Sequence, residues 1–278
     1  MFKDLITTLL HTTLTTTAPA PAPAAAQLVV VAPAPAVLAA PTPAARKPAP
    51  APVRVAQAPT AADVLKNVQA FYASIGQVKA TFQQSVTNVT FGSTQLSEGT
   101  VFIAKPGKMR WDYYSKPRKG KRTIKKAFIS NGTTLWVVEH DRKQIVQKNL
   151  EKDLMPVAVS FLYGKGDLAT DFTGELDASK KYGAATDLVL KLTPKKPSAQ
   201  YKHLMLVVDP SNHRVKESVI IDSAGNVNHF KFFAPDFAKV MQASWFEFTP
   251  KSVPSYRVVD ADAQAPAAGT GSAGTPGK

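Results

Sequence analysis

Residues Glu98–Tyr113 read EGTVFIAKPGKMRWDY. Val101 and Ile103 recur at period two, and so do Met109, Trp111 and Tyr113, which is the spacing of residues sharing one face of a β-strand. Lys105-Pro106 separates the two runs and reads as a turn. Upstream, Val78, Ala80, Phe82, Gln84 and Val86 keep the same period. Downstream, Lys125, Ala127 and Ile129 oppose Lys126, Phe128 and Ser130. Asn131-Gly132 then stands before the strand Thr134–His140, a strong hairpin signal. Asp141-Arg142 turns the chain into Lys143–Lys148.

Further strands are expected near residues 168–175, 186–193, 202–208, 214–222 and 226–233, with Ala224-Gly225-Asn226 as the last turn. Roughly ten or eleven strands at spacings of about ten residues predict one antiparallel barrel or sandwich. Helices are few. Thr60 can cap a helix in which Val64, Leu65, Val68, Phe71, Tyr72 and Ile75 share a face, and Gly76 ends it. A second, short helix follows Pro156, with Val159, Phe161 and Leu162 on its apolar side. Few helices on a sheet with imperfect alternation suit an open, lidded cavity as well as a filled core.

Composition divides the 278-residue chain in three. Residues 1–60 are Thr/Leu-rich and then Ala/Pro-rich, and proline at this density predicts disorder or polyproline-like chain. Residues 61–260 form a single domain, and residues 261–278, rich in Ala, Gly, Pro and Ser, form a disordered tail. The first segment matches an export signal poorly, so a degenerate signal, a start codon assigned at the wrong place and a plain linker all remain open. No apolar run approaches about 18 residues, so no transmembrane helix is expected. With no cysteine, disulfides, thiolate metal sites and a cysteine nucleophile are excluded. The net charge is +14. Within residues 61–260 there are 29 basic and 18 acidic side chains, a surplus of +11 that favours anionic partners.

The order of these motifs resembles the LolA-type periplasmic outer-membrane lipoprotein carrier family. The resemblance rests on Phe82-Gln83-Gln84, Gly99–Ala104, Lys105-Pro106, Arg110-Trp111, Asn131-Gly132, Leu135-Trp136 and Pro156 with Phe161-Leu162. It continues through Leu190-Lys191-Leu192-Thr193-Pro194 and Val207-Val208-Asp209. It closes on Phe246-Glu247-Phe248-Thr249-Pro250. It spans about residues 61–260. It implies a mostly β fold, in which a curved antiparallel sheet makes an incomplete, half-open β-barrel under a lid of short α-helices. It also implies a monomeric periplasmic chaperone that holds lipoprotein acyl chains. Such a carrier takes them from an inner-membrane lipoprotein-releasing ABC transporter and passes them to an outer-membrane lipoprotein acceptor. A lipid-binding or stress-sensing envelope module on the same fold is the alternative.

On this reading Phe82, Ile103, Met109, Trp111, Trp136, Phe161 and Leu162 line the acyl-chain cavity, with Phe102 and Phe128 also aromatic candidates. Inward faces rest on strand parity, and a wrong parity inverts the set. The family's lid latch, an arginine before the proline, is Lys105 here, and the role could fall instead to Arg110. The run Lys116–Lys126 holds seven cations in eleven residues. Arg118, Lys119, Lys121 and Arg122 read as a docking patch for an acidic partner or anionic headgroups, with a solvated loop as the plainer alternative. No aromatics interleave with them, which argues against nucleic acid.

No catalytic residue, cofactor or metal is expected. The histidines (His11, His140, His203, His213 and His229) lie at no zinc spacing. Gly164-Lys165-Gly166 is too short for a nucleotide loop, and no serine sits in a nucleophile elbow. Asp167, Asp171, Glu175 and Asp177 cluster at strand spacing, where a glycosidase pair is not expected.

Overall fold

A computed structural model of the chain describes residues 58–150, 167–179, 181–198 and 201–263. The N-terminal segment, most of the C-terminal tail and the helix expected after Pro156, with Phe161 and Leu162, lie outside the described residues.

Helix α1, Ala61–Ser74, starts where the capping signal stands. Thr60 Oγ1 accepts from the Asp63 amide at 3.2 Å and the Asp63 carboxylate accepts from the Thr60 amide at 3.2 Å, a reciprocal capping box. Val64, Leu65, Val68 and Tyr72 are its buried stripe. The chain then enters β1 (Gln77–Asn88), β2 (Ser93–Ala104), β3 (Lys108–Tyr114), β4 (Ile124–Asn131), β5 (Thr134–Glu139) and β6 (Gln144–Asn149). Residues 168–171 form a one-turn helix, α2 (Leu168–Asp171), where strand was expected, because Asp167 caps the amides of Ala169 and Thr170. After it come β7 (Phe172–Leu176), β8 (Leu188–Pro194), β9 (His203–Val208), β10 (Val215–Ile221) and β11 (Val227–Asp236). Two 3₁₀ turns, Ala243–Phe246 and Pro250–Ser252, precede β12 (Arg257–Asp260).

The strands form one 12-stranded sheet in the order β12-β6-β5-β4-β3-β2-β1-β11-β10-β9-β8-β7. Neighbours are antiparallel except β12, which lies parallel to β6. The order runs from one free edge to the other, so the barrel is incomplete. The sheet curls strongly. Trp111 on β3 and Phe230 on β11 are three strands apart, about 14 Å in a flat sheet, yet their ring centroids are 5.4 Å apart.

One face carries the main core. Register sets it: Phe82 pairs with Gly99 and Phe232, Gly99 with Tyr113, Val101 with Trp111, Trp111 with Phe128, and Phe128 with Val137. On the other wing of the sheet Leu190, Leu192, Leu204 and Leu206 join the same cluster, and α1 packs into it. Two smaller clusters lie on the opposite, convex face. Ala127, Ile129, Trp136, Val138 and Ile145 pack under Phe248, Val253 and Tyr256 of the C-terminal segment. Val189, Met205, Val207 and Val219 pack with Tyr182.

Candidate functional site

The concave face is built from alternate residues of adjacent strands. Val78, Ala80 and Phe82 of β1 lie beside Val101 and Ile103 of β2, and these beside Met109, Trp111 and Tyr113 of β3. All eight are buried. Phe82 meets Trp111 at 5.1 Å and Tyr113 at 4.9 Å between centroids, both edge to face. Gly99 permits that crowding. A Cβ there would lie 2.1 Å from the Asp112 carbonyl oxygen and 2.6 Å from the Phe82 ring.

Polar groups bound the apolar region. The buried Gln84 amide donates to Asn228 Oδ1 at 2.8 Å. Lys126 pairs with Glu139 at 3.2 Å and lies 5.0 Å from the Phe128 ring centroid. Burial lowers the Lys126 pKa, with Glu139 opposing that shift.

Helix α1 covers one wing of this face. The Lys105 ammonium, on the turn after β2, donates to the Tyr72 carbonyl in the last turn of α1. Burial lowers the Lys105 pKa. The Tyr72 hydroxyl accepts from the Val215 amide at 3.3 Å, and burial raises its pKa to about 12. Phe71 packs edge to face on Phe237, just past β11, at 5.6 Å. A gap of about 40 Å³ is left among Tyr72, Val78, Ile103, Trp111, Phe232 and Phe237.

Of the residues expected in the cavity, the structure brings Phe82, Ile103, Met109 and Trp111 together. Trp136 is elsewhere. It pairs with Ile129 on the convex face, donates to Gln147 Oε1 at 3.2 Å and packs against Phe248. Leu135 and Val137 face inward instead. Residues 135–138 are apolar on both faces, so parity there was not legible. Phe102 also faces outward, onto Trp245 at 5.5 Å, whereas Phe128 faces inward. Arg110 is on the convex side too. Its Nε bonds Asp112 at 2.9 Å and its Nη1 donates to the Trp245 carbonyl at 3.3 Å, so it anchors the C-terminal segment and not the helix. Desolvation raises the Asp112 pKa against the opposing pull of Arg110.

Residues not singled out from the sequence include Val78, Ala80, Val101, Phe230 and Phe232. Their period-two spacing was visible, but β1 pairs with β11 across some 150 residues, and no local signal gives that pairing. Arg118, Lys119, Lys121 and Arg122 are all exposed on the β3–β4 loop. Among the described residues no three His, Asp or Glu side chains gather as a metal site, and no helix is long and apolar enough to cross a membrane.

Residues 73–249 match the model of the family described as "Outer membrane lipoprotein carrier protein LolA". An outer-membrane lipoprotein carrier protein of Dechloromonas aromatica is 26% identical over 188 residues, covering 68% of this chain and 81% of that protein. One of Cupriavidus pinatubonensis is 28% identical over 203 residues, covering 71% and 89%. Among solved structures, a LolA superfamily protein from Nitrosomonas europaea aligns at TM-score 0.37 and 14% identity over 69% of this chain and 99% of its own. An uncharacterized conserved protein from Thermus thermophilus aligns at TM-score 0.44 and 14% identity, over 72% and 98%.

Proposed function

This chain belongs to the LolA family of outer membrane lipoprotein carrier proteins, and from that premise we propose that it is a periplasmic chaperone carrying lipoproteins from the inner to the outer membrane. The observation that supports this is the concave apolar face of an open sheet, with a helix packed on one wing and held to the β2–β3 turn by Lys105. A chain of about fifteen methylenes costs roughly 12 kcal/mol to expose to water. A protein concavity offsets that cost without covalent chemistry.

The gap beside Tyr72 is far smaller than the roughly 300 Å³ at which ligand pockets begin. In this reading, loading at that gap moves the end of α1 and the rings of Phe71 and Phe237 off the sheet. Lys105 is the latch in this reading, releasing the Tyr72 carbonyl as the helix swings. Phe82, Ile103, Met109 and Trp111 receive the acyl chains, and Phe161 and Leu162 extend that set. An inner-membrane lipoprotein-releasing ABC transporter supplies the cargo and an outer-membrane lipoprotein acceptor takes it. The carrier works as a monomer and without a cofactor.

The test is release of a radiolabelled triacylated lipoprotein from spheroplasts by the purified protein. A soluble one-to-one complex is expected. Ile103→Asp, shown folded by circular dichroism, abolishes it, while Trp136→Phe on the convex face leaves it intact. No release by folded wild-type protein would overturn the carrier reading and favour an envelope interaction module on the same fold.

A further inference from the structure

The end of the sheet opposite the Lys105–Tyr72 contact carries two features that the cavity does not use. Because the strands alternate in direction, the β1–β2 and β3–β4 connections share that end. β3 pairs with β2 only from Gly99 to Ala104. The β1–β2 hairpin therefore runs on past it through Ser93–Glu98, about 20 Å at strand rise. Three large apolar side chains stand exposed on this projection: Val89 at 50%, Phe91 at 67% and Leu96 at 77%.

The tip is held in place. The Val89 amide donates to Asn226 Oδ1 at 3.0 Å on the β10–β11 turn, and the Phe91 amide donates to Asn88 Oδ1 at 3.1 Å. Thr87 and Thr94 hydroxyls bond across the hairpin at 2.9 Å. The exposed side chains are thus presented on a tethered turn.

The basic loop lies beside this hairpin, since Arg122 pairs with Glu98 of β2 at 2.8 Å. It forms a small hairpin of its own, closed by backbone bonds between Arg118 and Lys121 at 2.9 and 3.0 Å, with Lys119 and Gly120 at positive φ. Lys116, Arg118, Lys119, Lys121 and Arg122 are exposed, and no acidic residue lies between them. Lys116 and Leu96 also line an open depression of about 450 Å³ with Lys231.

We infer that this end of the sheet docks on an anionic phospholipid surface, with Phe91 and Val89 entering the interface and the β3–β4 cations meeting the headgroup phosphates. An apolar projection beside a cationic loop supplies two weak attractions, apolar and coulombic, which together give reversible membrane binding where either alone is marginal. A protruding tip also suits a fluid surface, which accepts it without a complementary groove. Docking at this end leaves the Lys105–Tyr72 contact uncovered. The inference adds a membrane contact to the carrier reading but does not depend on it, because cargo-free vesicles test it.

The experiment is co-flotation of the full chain with vesicles of phosphatidylethanolamine and phosphatidylglycerol, against vesicles of phosphatidylcholine alone. Binding is expected on the anionic vesicles only and falls as salt is raised. The triple change Arg118→Ser, Lys119→Ser, Lys121→Ser is expected to weaken it roughly tenfold or more, and Phe91→Ser about fivefold. All these sites are exposed, so thermal unfolding stays unchanged. Brominated phosphatidylglycerol quenches the added emission of Phe91→Trp. No binding to anionic vesicles, equal binding to phosphatidylcholine, or binding indifferent to both variants overturns the inference. If the triple variant instead loses only an acidic protein partner, the loop is a protein-docking site and the lipid assignment falls.

Discussion

Gly99 sits between Phe82 on one neighbouring strand and Tyr113 on the other, and the rings close over it at 4.9 Å. A methyl group there meets backbone as well as ring, and the Asp112 carbonyl cannot give way without leaving the ladder. Gly99→Ala is therefore expected to destabilise by about 2 kcal/mol, or roughly 5 °C in Tm for a domain of this size, read by thermal unfolding. A second residue-scale expectation concerns Asp187, which is buried under Lys216 at 2.8 Å. Burial pushes its pKa up, but the Lys216 ammonium and the Ala184 amide outweigh that and hold it below the usual 3.8. A depressed carboxylate stabilises the fold above its unfolded value, and the contribution is lost as pH falls through the lower folded value. Lys216→Met should cost about 2 kcal/mol near neutrality, by removing the counter-charge of a buried carboxylate. The difference between variant and wild type should shrink in melts taken below pH 3.8.

At the scale of elements, legibility followed the locality of the signal. Helix α1 was readable to within a residue because Thr60, the apolar stripe and Gly76 are neighbours in sequence. The strands were readable as strands, since period two is also local. Their faces were readable where one side of the strand is polar or small, as in β1. They were not readable in β5, where Leu135-Trp136-Val137-Val138 offers apolar side chains to both sides and a one-residue shift exchanges them. Strand β12 was missed altogether, being four residues long and parallel to β6.

The whole domain uses both faces of its sheet, which a barrel with a solvated exterior would not. The segment from Ala243 to Asp260 covers Ala127, Ile129, Trp136, Val138 and Ile145, and Arg110 and Asn131 fasten it through the Trp245 carbonyl and Glu247. Truncation before Pro250 removes Val253, Tyr256 and the β12 edge. The expected outcome is a red-shifted Trp136 emission, binding of a hydrophobic dye and aggregation on warming, with the concave face still formed. Unchanged emission after that truncation would mean that Phe248 alone covers Trp136.

The sequence by itself determined a mostly β fold, a capped first helix, most of the strands and the family resemblance that residues 73–249 bear out. Those properties are carried by residues a few positions apart, where period, capping and turn chemistry act. Only the tertiary structure decided that β1 lies against β11 and that Trp136 and Arg110 face outward. It also decided that Lys105 reaches the Tyr72 carbonyl and that the basic loop stands beside an apolar hairpin tip. Each of these depends on strand pairing and sheet curl, which are set by the packing of residues distant in the chain.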